Sequence, residues 1–218
     1  MAQEDSTEHR RLQALRLYEL LDTGSEESFN NLTQLAALIC DVPISLVSLL
    51  DEDRQWFKSN HGLDATETPR SQAFCHYAIQ QHSTFVVPDA TRDPLFSENP
   101  LVSGPPYIRY YAGVSLEVSG GHKLGTLCAI DTVPRQLSEL QLTALRKIAD
   151  SVVHLIELRL KAHRLMKLEA LLPVCSWCKS VCTIENEWIS ITDYVSQNAE
   201  VTHGMCPECF EKHSKDIN

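Results

Sequence analysis

No stretch of this 218-residue sequence is long and apolar enough to cross a membrane, and no segment is repeated. The longest apolar runs, such as Pro43–Leu50, are the size of a strand, whereas a spanning helix needs roughly 18 apolar residues. Apolar residues make up 43% and charged residues 22%, which excludes disordered and fibrous classes. The polar, acidic start at Met1 lacks the basic residues and apolar core of a secretory signal peptide. We therefore expect a cytoplasmic globular protein of one or two domains, without a membrane partner.

Basic residues are also scarce in this sequence. There are 19 Lys and Arg against 29 Asp and Glu, a formal net charge of −10. Binding to nucleic acid or to an anionic membrane needs clustered cations. Residues 168–218 contain three Lys, no Arg and eight acidic residues. This balance argues against nucleic acid as a partner.

Motifs of the common enzyme classes are missing as well. The sequence has no P-loop, no G-x-G-x-x-G after a strand, no H-E-x-x-H and no G-x-S-x-G. Cys75 and His76 are neighbours on a predicted helix, where their side chains diverge and cannot form a thiolate–imidazole pair. We expect Cys40, Cys75 and Cys128 to be buried structural residues.

Five of the eight cysteines are concentrated near the end of the sequence. Two C-x-x-C pairs stand 27 residues apart, a pattern typical of four thiolates that hold one Zn²⁺. The sequence therefore predicts a small zinc-ribbon-like domain that its metal stabilises. His203 and Cys182 are alternative ligands, and a redox-active C-x-x-C is less favoured because no βαβ pattern surrounds it. The predicted metal ligands are Cys175, Cys178, Cys206 and Cys209.

Hydrophobic periodicity predicts an α+β protein. Apolar, β-rich runs alternate with helical patterns, and Ser119-Gly-Gly-His122 is a good hairpin turn. Ser25 is predicted to cap a helix, and Ser138 with Gln141 forms a capping box that opens a long connector helix reaching about Leu172. We expect the first half of that helix to pack on the sheet and the second half to pair with another copy of the chain. The predicted domains are residues 1–166, which contain the sheet and its flanking helices, and residues 167–218, the cysteine-rich domain.

Polar and aromatic residues near the predicted strands are candidates for a small-molecule pocket, and five prolines lie in the loop over residues 88–106. For any single residue a structural role is the simpler interpretation. Aromatic side chains would then belong to the core, and Asp89 and Asp93 would pair with Arg92 or Arg109 to hold the loop. The candidate ligand-binding residues are Trp56, Phe74, His76, Asp89, Asp93, Phe96, Arg109 and Tyr111.

Ten segments of the sequence, taken together, carry a resemblance to a known family. They are Ile44–Asp51, Asp53–Ser59, Phe74–His76, Val87–Ala90, Asp93, Phe96, Asn99–Val102, Ile108–Gly113, Leu124–Asp131 and Arg135–Ser138. In this order they resemble the GAF domain family of bacteria over about residues 7–165. The tail resembles a short cysteine-rich segment that follows GAF, PAS and receiver modules in bacteria.

The resemblance implies a GAF/PAS-like antiparallel sheet of about six strands flanked by helices, with a ligand cavity between the sheet and its covering loops. It also implies a homodimer that forms through terminal helices. Family members bind cyclic nucleotides, bilins, haem or small metabolites. The N-K-F-D-E pattern of cyclic-nucleotide-binding members is missing, and the residues around Cys75 and His76 do not match bilin-binding members.

Two functions are compatible with these features. The first is a non-enzymatic sensory module, in which an unknown small molecule or a redox event in the pocket shifts the connector helix and the zinc-held tail contacts a signalling partner. No kinase, cyclase, phosphodiesterase or helix-turn-helix module is recognisable after the GAF-like region, and we expect no enzyme activity. The alternative is a thiol enzyme similar to the GAF-type free methionine sulfoxide reductases, with Cys75 or Cys128 as the nucleophile.

Overall fold

A computed structural model of the protein describes residues 2–81, 83–169, 172–183 and 186–198, together with Pro207 and Phe210. The chain divides into two compact units, Met1–Ala162 and His163–Asn218. The assignment of residues 1–166 to a sensory domain and of residues 167–218 to a cysteine-rich domain stays a prediction. In the order of the described chain, the helices and strands are α1 (Ala2–Leu17), α2 (Glu27–Cys40), β1 (Ile44–Leu50), β2 (Arg54–His61), β3 (Glu67–Pro69), α3 (Phe74–Ala78), β4 (Phe85–Val87), α4 (Pro100–Ser103), β5 (Tyr110–Val118), β6 (His122–Asp131), α5 (Glu139–Glu169), β7 (Val181–Cys182), β8 (Trp188–Ile189) and α6 (Ile191–Asn198).

The first unit is built on one six-stranded sheet in the order β3-β2-β1-β6-β5-β4. All neighbouring strands in it are antiparallel. The central strand β1 is buried along its whole length, because side chains on both of its faces are covered. The predicted antiparallel sheet flanked by helices is thus confirmed.

The hairpin between β5 and β6 forms where the sequence predicts it. Gly120 and Gly121 have φ angles of 95° and 77°. Both lie in the left-handed region that glycine adopts without strain, in a three-residue loop between the paired residues Val118 and His122. The turn therefore sets the register of the longest strand pair in the sheet.

One face of the sheet is covered by α1, α2 and the first half of α5. On α5, Leu145, Ile148, Val152 and Ile156 are buried at helical spacing and join the core on this face. Each large apolar side chain buried in this way contributes about 1.5–3 kcal/mol to folding. The first half of the long helix therefore packs on the sheet, as its periodicity predicts.

The opposite face of the sheet is covered by α3, α4 and the loops beside them. Its core contains Ile44, Leu46 and Phe57 from the strands and Phe74 and Phe96 from the cover. Because side chains alternate along each strand, residues of β1 and β2 contribute to both cores in turn. Separate cores therefore lie on the two faces of one sheet.

The two predicted helix starts have different outcomes. At α5, the Gln141 backbone N–H donates to Ser138 Oγ at 3.3 Å, and the Ser138 N–H donates to Gln141 Oε1 at 3.0 Å. This reciprocal pair is the predicted capping box. The predicted cap by Ser25 is wrong, because the N-cap of α2 is Glu26 and Ser25 Oγ instead accepts a hydrogen bond from Asn30.

In the second unit, β7 and β8 pair antiparallel and α6 follows them. The Asp193 N–H donates to Ser190 Oγ at 3.0 Å at the start of α6. His203, Cys206 and Cys209, on which the predicted zinc-ribbon fold depends, lie outside the described residues. None of the described helices is long and apolar enough to span a membrane.

Candidate functional site

A cavity of about 310 Å³ lies on the sheet face that α3 and α4 cover. Its floor is formed by strands β1, β2, β3, β5 and β6, and its other walls come from α3, α4 and the segments that follow β2 and α4. A volume of this size suits a small organic molecule. The cavity is lined by Ile44, Leu46, Gln55, Phe57, Leu63, Asp64, Ala65, Thr68, Phe74, Leu101, Pro105, Pro106, Ile108, Tyr111 and Ile130.

Gln55 and Thr68 are polar exceptions on a mainly apolar wall. They are direct partners in the register between β2 and β3, so their side chains stand side by side. Thr68 Oγ1 is buried without a hydrogen-bond partner among the described residues. Gln55 is 6% exposed. A buried polar group without a partner costs about 1–3 kcal/mol, so this pair favours a bound group that would satisfy it.

Aromatic stacking fixes the cover of the cavity to the sheet. The Phe74 and Phe96 rings are stacked with centroids 4.0 Å apart, and Phe74 also stacks on Tyr111 at 5.1 Å. Tyr77 meets Phe96 edge to face at 5.1 Å. Such pairs contribute about 0.5–1.5 kcal/mol each beyond their buried area. The loop that carries Phe96 is therefore held against α3.

The structure brings only part of the predicted ligand set to the cavity. Phe74 and Tyr111 line it, and Phe96 lies behind Phe74 in the same core. Trp56 points to the opposite face of the sheet, where it belongs to the core under α1, α2 and α5. His76 lines a separate depression beside Arg70. The ligand-binding role of the eight residues stays a prediction.

The remaining predicted residues, Asp89, Asp93 and Arg109, hold the loop that precedes β5. Asp89 Oδ1 accepts hydrogen bonds from the Thr91 side chain and backbone, and the hydroxyl bond is the main reason that the pKa of Asp89 is lowered. Asp93 Oδ1 accepts from the Leu95 N–H at 2.9 Å. Arg109 donates to the Val102 carbonyl at 2.8 Å. These contacts are the local turn bonds that short polar side chains commonly make.

His76 lies next to an ionic cluster of Glu8, Arg11 and Arg70. Glu8 Oε1 accepts from Arg11 at 2.7 Å and from Arg70 at 2.8 Å. Burial raises the pKa of Glu8, but these hydrogen bonds outweigh it and hold the pKa at about 2. Burial, followed by the charge of Arg70, lowers the pKa of His76. The cluster attaches α1 to the segment before α3.

The two thiols of the alternative hypothesis, Cys75 and Cys128, are fully buried and not joined by a disulfide. Burial raises the pKa of Cys128 to about 12 and raises that of Cys75 further. The Cys128 thiol donates to the Leu46 carbonyl at 3.7 Å. A catalytic cysteine needs an accessible thiolate with a depressed pKa. This setting does not favour the thiol enzyme.

A buried lysine connects the cavity strand to α5. Lys58 is the extra residue of a β-bulge in β2, next to the cavity residue Phe57, and its side chain is 0% exposed. Its ammonium donates to Thr23 Oγ1 and the Gly24 carbonyl at 2.8 Å and to Glu26 Oε1 at 2.6 Å. All three donors are thus satisfied.

The same carboxylate oxygen of Glu26 also accepts a hydrogen bond from Arg159 Nε of α5 at 3.0 Å. Burial raises the pKa of Glu26, but the bonds and charges of Lys58 and Arg159 outweigh it and lower the pKa overall. Glu157, two residues earlier on α5, accepts from Tyr18 of α1 at 2.7 Å and from the Ser119 N–H of the β5–β6 turn at 2.8 Å. We call Lys58, Glu26 and Arg159 the ionic link.

In the second unit, Cys175 and Cys178 lie on one tight turn. The Cys175 N–H donates to the Ser180 carbonyl at 2.8 Å, and the Lys179 N–H donates to the Cys175 carbonyl at 3.0 Å. Lys179 has φ 62°, and Ser180 Oγ lies 3.3 Å from Cys178 Sγ. Hydrogen bonds from Ser180, followed by that with Cys175, lower the pKa of Cys178 to about 7.

This turn brings two thiol groups close together and stabilises a thiolate, which is the form that binds zinc. Cys182 lies outside the turn, on β7, with its thiol near the Thr183 carbonyl. Within the described ranges, no group of three or more His, Cys, Asp or Glu is placed to hold a metal ion. Cys206 and Cys209 are not among the described residues.

The sequence matches the GAF domain family model over residues 25–156. A relative from Pseudomonas aeruginosa, named cyclic di-GMP phosphodiesterase, is 43% identical over 147 residues. The match covers 67% of this chain and 25% of the relative, so the chain spans about a quarter of that protein's length.

Two solved GAF domains share the fold at low sequence identity. The blue-light absorbing form of the PixJ GAF domain from Thermosynechococcus elongatus is 16% identical, with a TM-score of 0.52 over 66% of this chain and 89% of that one. The GAF domain of the Acinetobacter phosphoenolpyruvate-protein phosphotransferase is 18% identical, with a TM-score of 0.52 over 69% and 92%. These similarities support the α+β fold alone.

The relative from Pseudomonas aeruginosa corrects one expectation. We expected no enzyme activity, because no catalytic module is recognisable from the residues. A protein 43% identical over 147 residues is named as an enzyme, and this contradicts the expectation.

Proposed function

Because the chain belongs to the GAF domain family, we propose that its cavity binds a small molecule and that binding regulates a cyclic di-GMP phosphodiesterase activity. The observation that carries the proposal is the 310 Å³ cavity, whose mainly apolar wall carries the polar side chains of Gln55 and Thr68; among the described residues, the buried Thr68 Oγ1 has no hydrogen-bond partner. The phosphodiesterase activity in this proposal is inferred from the relative that is named cyclic di-GMP phosphodiesterase. A redox event is not part of the proposal, because the thiols near the cavity are buried with raised pKa values.

The ionic link gives a physical route from the cavity to α5. A ligand that contacts Phe57 acts on the residue next to the bulge, and Lys58 is bonded there to Glu26 and through it to Arg159. Ligand binding shifts a conformational equilibrium only if the ligand has different affinities for the two states. A displaced β2 backbone would change the Lys58 contacts and with them the position of α5.

We also propose that the second unit binds one structural Zn²⁺ through Cys175, Cys178, Cys206 and Cys209. The described turn supports this proposal, because it places two thiol groups together and lowers the pKa of Cys178. When bound, Zn²⁺ would supply a tetrahedral cross-link for a unit with a small apolar core. His203 and Cys182 remain alternative ligands.

For partners, we propose a homodimer through α5 and a signalling protein that the second unit contacts. Leu158 and Leu165 stand seven residues apart on α5 and are 63% and 59% exposed. This spacing places them on one stripe, as the seam of two paired helices requires. The charge balance continues to argue against nucleic acid and anionic membranes.

The regulatory proposal is tested by filling the cavity in the full chain. Leu63 lines the cavity, so Leu63→Trp should occupy the ligand space. Leu95 is 60% exposed and does not line the cavity, so Leu95→Trp is the matched control. Cyclic di-GMP is then measured in cells that express each chain. We expect at least a roughly twofold difference between Leu63→Trp and both other chains, and equal levels in all three would contradict the proposal.

A further inference from the structure

The polar pair on the cavity wall indicates which groups a ligand must present. The Gln55 amide has an NH₂ group that donates hydrogen bonds and a carbonyl oxygen that accepts them. The Thr68 hydroxyl can donate or accept a hydrogen bond. The two residues face each other across β2 and β3, and Thr68 Oγ1 is a buried atom to which the described part of the chain gives no hydrogen-bond partner. A ligand that satisfies both side chains therefore has a donor and an acceptor next to each other on one edge.

The charges around the cavity exclude an anionic ligand. Of the described residues, no Lys, Arg or His lines it, and the one ionisable carboxylate on its wall is the exposed Asp64. An anion would lose its hydration there without gaining a counter-charge. Cyclic di-GMP, with two phosphates, is therefore unsuited to this cavity, as are other nucleotides and carboxylates.

The size and shape of the cavity favour a flat ring system. Phe57, Phe74 and Tyr111 line the cavity, and its volume of about 310 Å³ is at the small end of ligand sites. Aromatic side chains contact other flat rings favourably, edge to face as well as stacked. A molecule of one or two fused rings matches this space, whereas a tetrapyrrole exceeds it.

We propose that the cavity binds an uncharged bicyclic molecule whose edge carries an adjacent N–H donor and C=O acceptor, the pattern of a cyclic amide. The cyclic amide edge bonds to Gln55 and Thr68, and the rings lie among Phe57, Phe74 and Tyr111. This inference rests on the proposed function, in that it names the ligand class of the same cavity.

Three bicyclic probes separate the contributions of hydrogen bonding, apolar contact and charge. NMR titrations of the full chain compare 2-quinolone, which has the cyclic amide edge, with naphthalene and with 2-naphthoate. We expect 2-quinolone to bind roughly tenfold more tightly than naphthalene, since one net hydrogen bond changes an affinity by about that factor. We expect no saturable binding of 2-naphthoate.

Two variants assign the effect to the polar pair. Gln55→Leu should reduce the affinity for 2-quinolone roughly tenfold and Thr68→Val roughly threefold, and naphthalene should bind to both as before. The control is Gln13→Leu on the exposed surface of α1, which should change neither affinity. Naphthalene binding also reports whether each variant retains a folded cavity.

The outcomes distinguish the two levels of the proposal. If naphthalene or 2-naphthoate binds as tightly as 2-quinolone, the cavity is a ligand site but the ligand class is wrong. The class is also overturned if 2-quinolone affinity is unchanged in both variants. If none of the three probes binds saturably to the parent chain, the cavity is not a ligand site and the proposed function fails with it.

Discussion

The ionic link offers a quantitative test of how the sheet is coupled to α5. Glu26→Gln removes the charge that Lys58 and Arg159 share and nearly preserves the shape of the side chain. Glu26 makes no side-chain capping bond at the start of α2, so the substitution does not remove a helix cap. The Lys58 ammonium, with a side chain 0% exposed, is then left with only neutral partners among its described hydrogen bonds.

The magnitude follows from burial. Removing one partner of a fully buried ion pair costs about 3–5 kcal/mol, and exposed pairs contribute about 0–1 kcal/mol. The Glu26 side chain is 36% exposed, so solvent screening reduces the expected cost to about 2 kcal/mol. For a chain of this length, that corresponds to a fall in Tm of about 4–8 °C.

The assay is a double-mutant cycle at pH 7, measured by calorimetry and by denaturant unfolding. Lys58→Met replaces the buried ammonium by an apolar side chain of similar length. The double variant should be more stable than additivity predicts, by about 2 kcal/mol, because the uncompensated buried charge is then absent. A loss below about 0.5 kcal/mol for Glu26→Gln, or additive effects in the cycle, would refute the reasoning.

Three further predictions concern other parts of the chain. The pKa of Glu8 is lowered to about 2 from 4.5, so its contribution to stability is complete above about pH 4.5 and is lost as the pH falls towards 2. Because Glu8 is partly exposed, Glu8→Gln should lower the free energy of unfolding by about 2 kcal/mol at pH 7. The unfolding free energies of the variant and the parent should converge near pH 2, and curves of unfolding free energy against pH that stay parallel would contradict this. Gly125→Ala should cost about 2–3 kcal/mol in denaturant unfolding, because a Cβ there overlaps the backbone of β1, whereas Gly24→Ala, with open space around it, should change stability by less than about 0.5 kcal/mol. Cys178→Ser should lose bound zinc in elemental analysis and Cys182→Ser should retain it; zinc kept in the first variant would contradict the assigned ligands.

Much of the fold could be predicted because several elements carry local signals. The glycine pair at residues 120 and 121 and the capping box at Ser138 act through their own backbone and side-chain bonds. The short edge strand β3 was not predicted, because three residues that end in Pro69 show no alternation. The cap at Ser25 failed for a tertiary reason, since Glu26 is positioned by Lys58 and Arg159.

The candidate site was harder to predict because face assignment depends on register. In β2, Gln55 and Phe57 face the cavity while Trp56 faces the helices, and the bulge at Lys58 interrupts the simple alternation. Trp56 was predicted to bind a ligand because of its chemistry, and Gln55 and Thr68 were not predicted. Their signal is a polar residue on an otherwise apolar strand face, which becomes visible only once the strand pairing is known.

The most direct test of the central claim is native mass spectrometry of the full chain after exposure to the small-molecule fraction of cells. The account predicts one bound organic molecule per parent chain and per Leu95→Trp chain, and none on Leu63→Trp, whose new side chain fills the cavity. Absence of any bound molecule on the parent chain, or equal binding to Leu63→Trp, would contradict it.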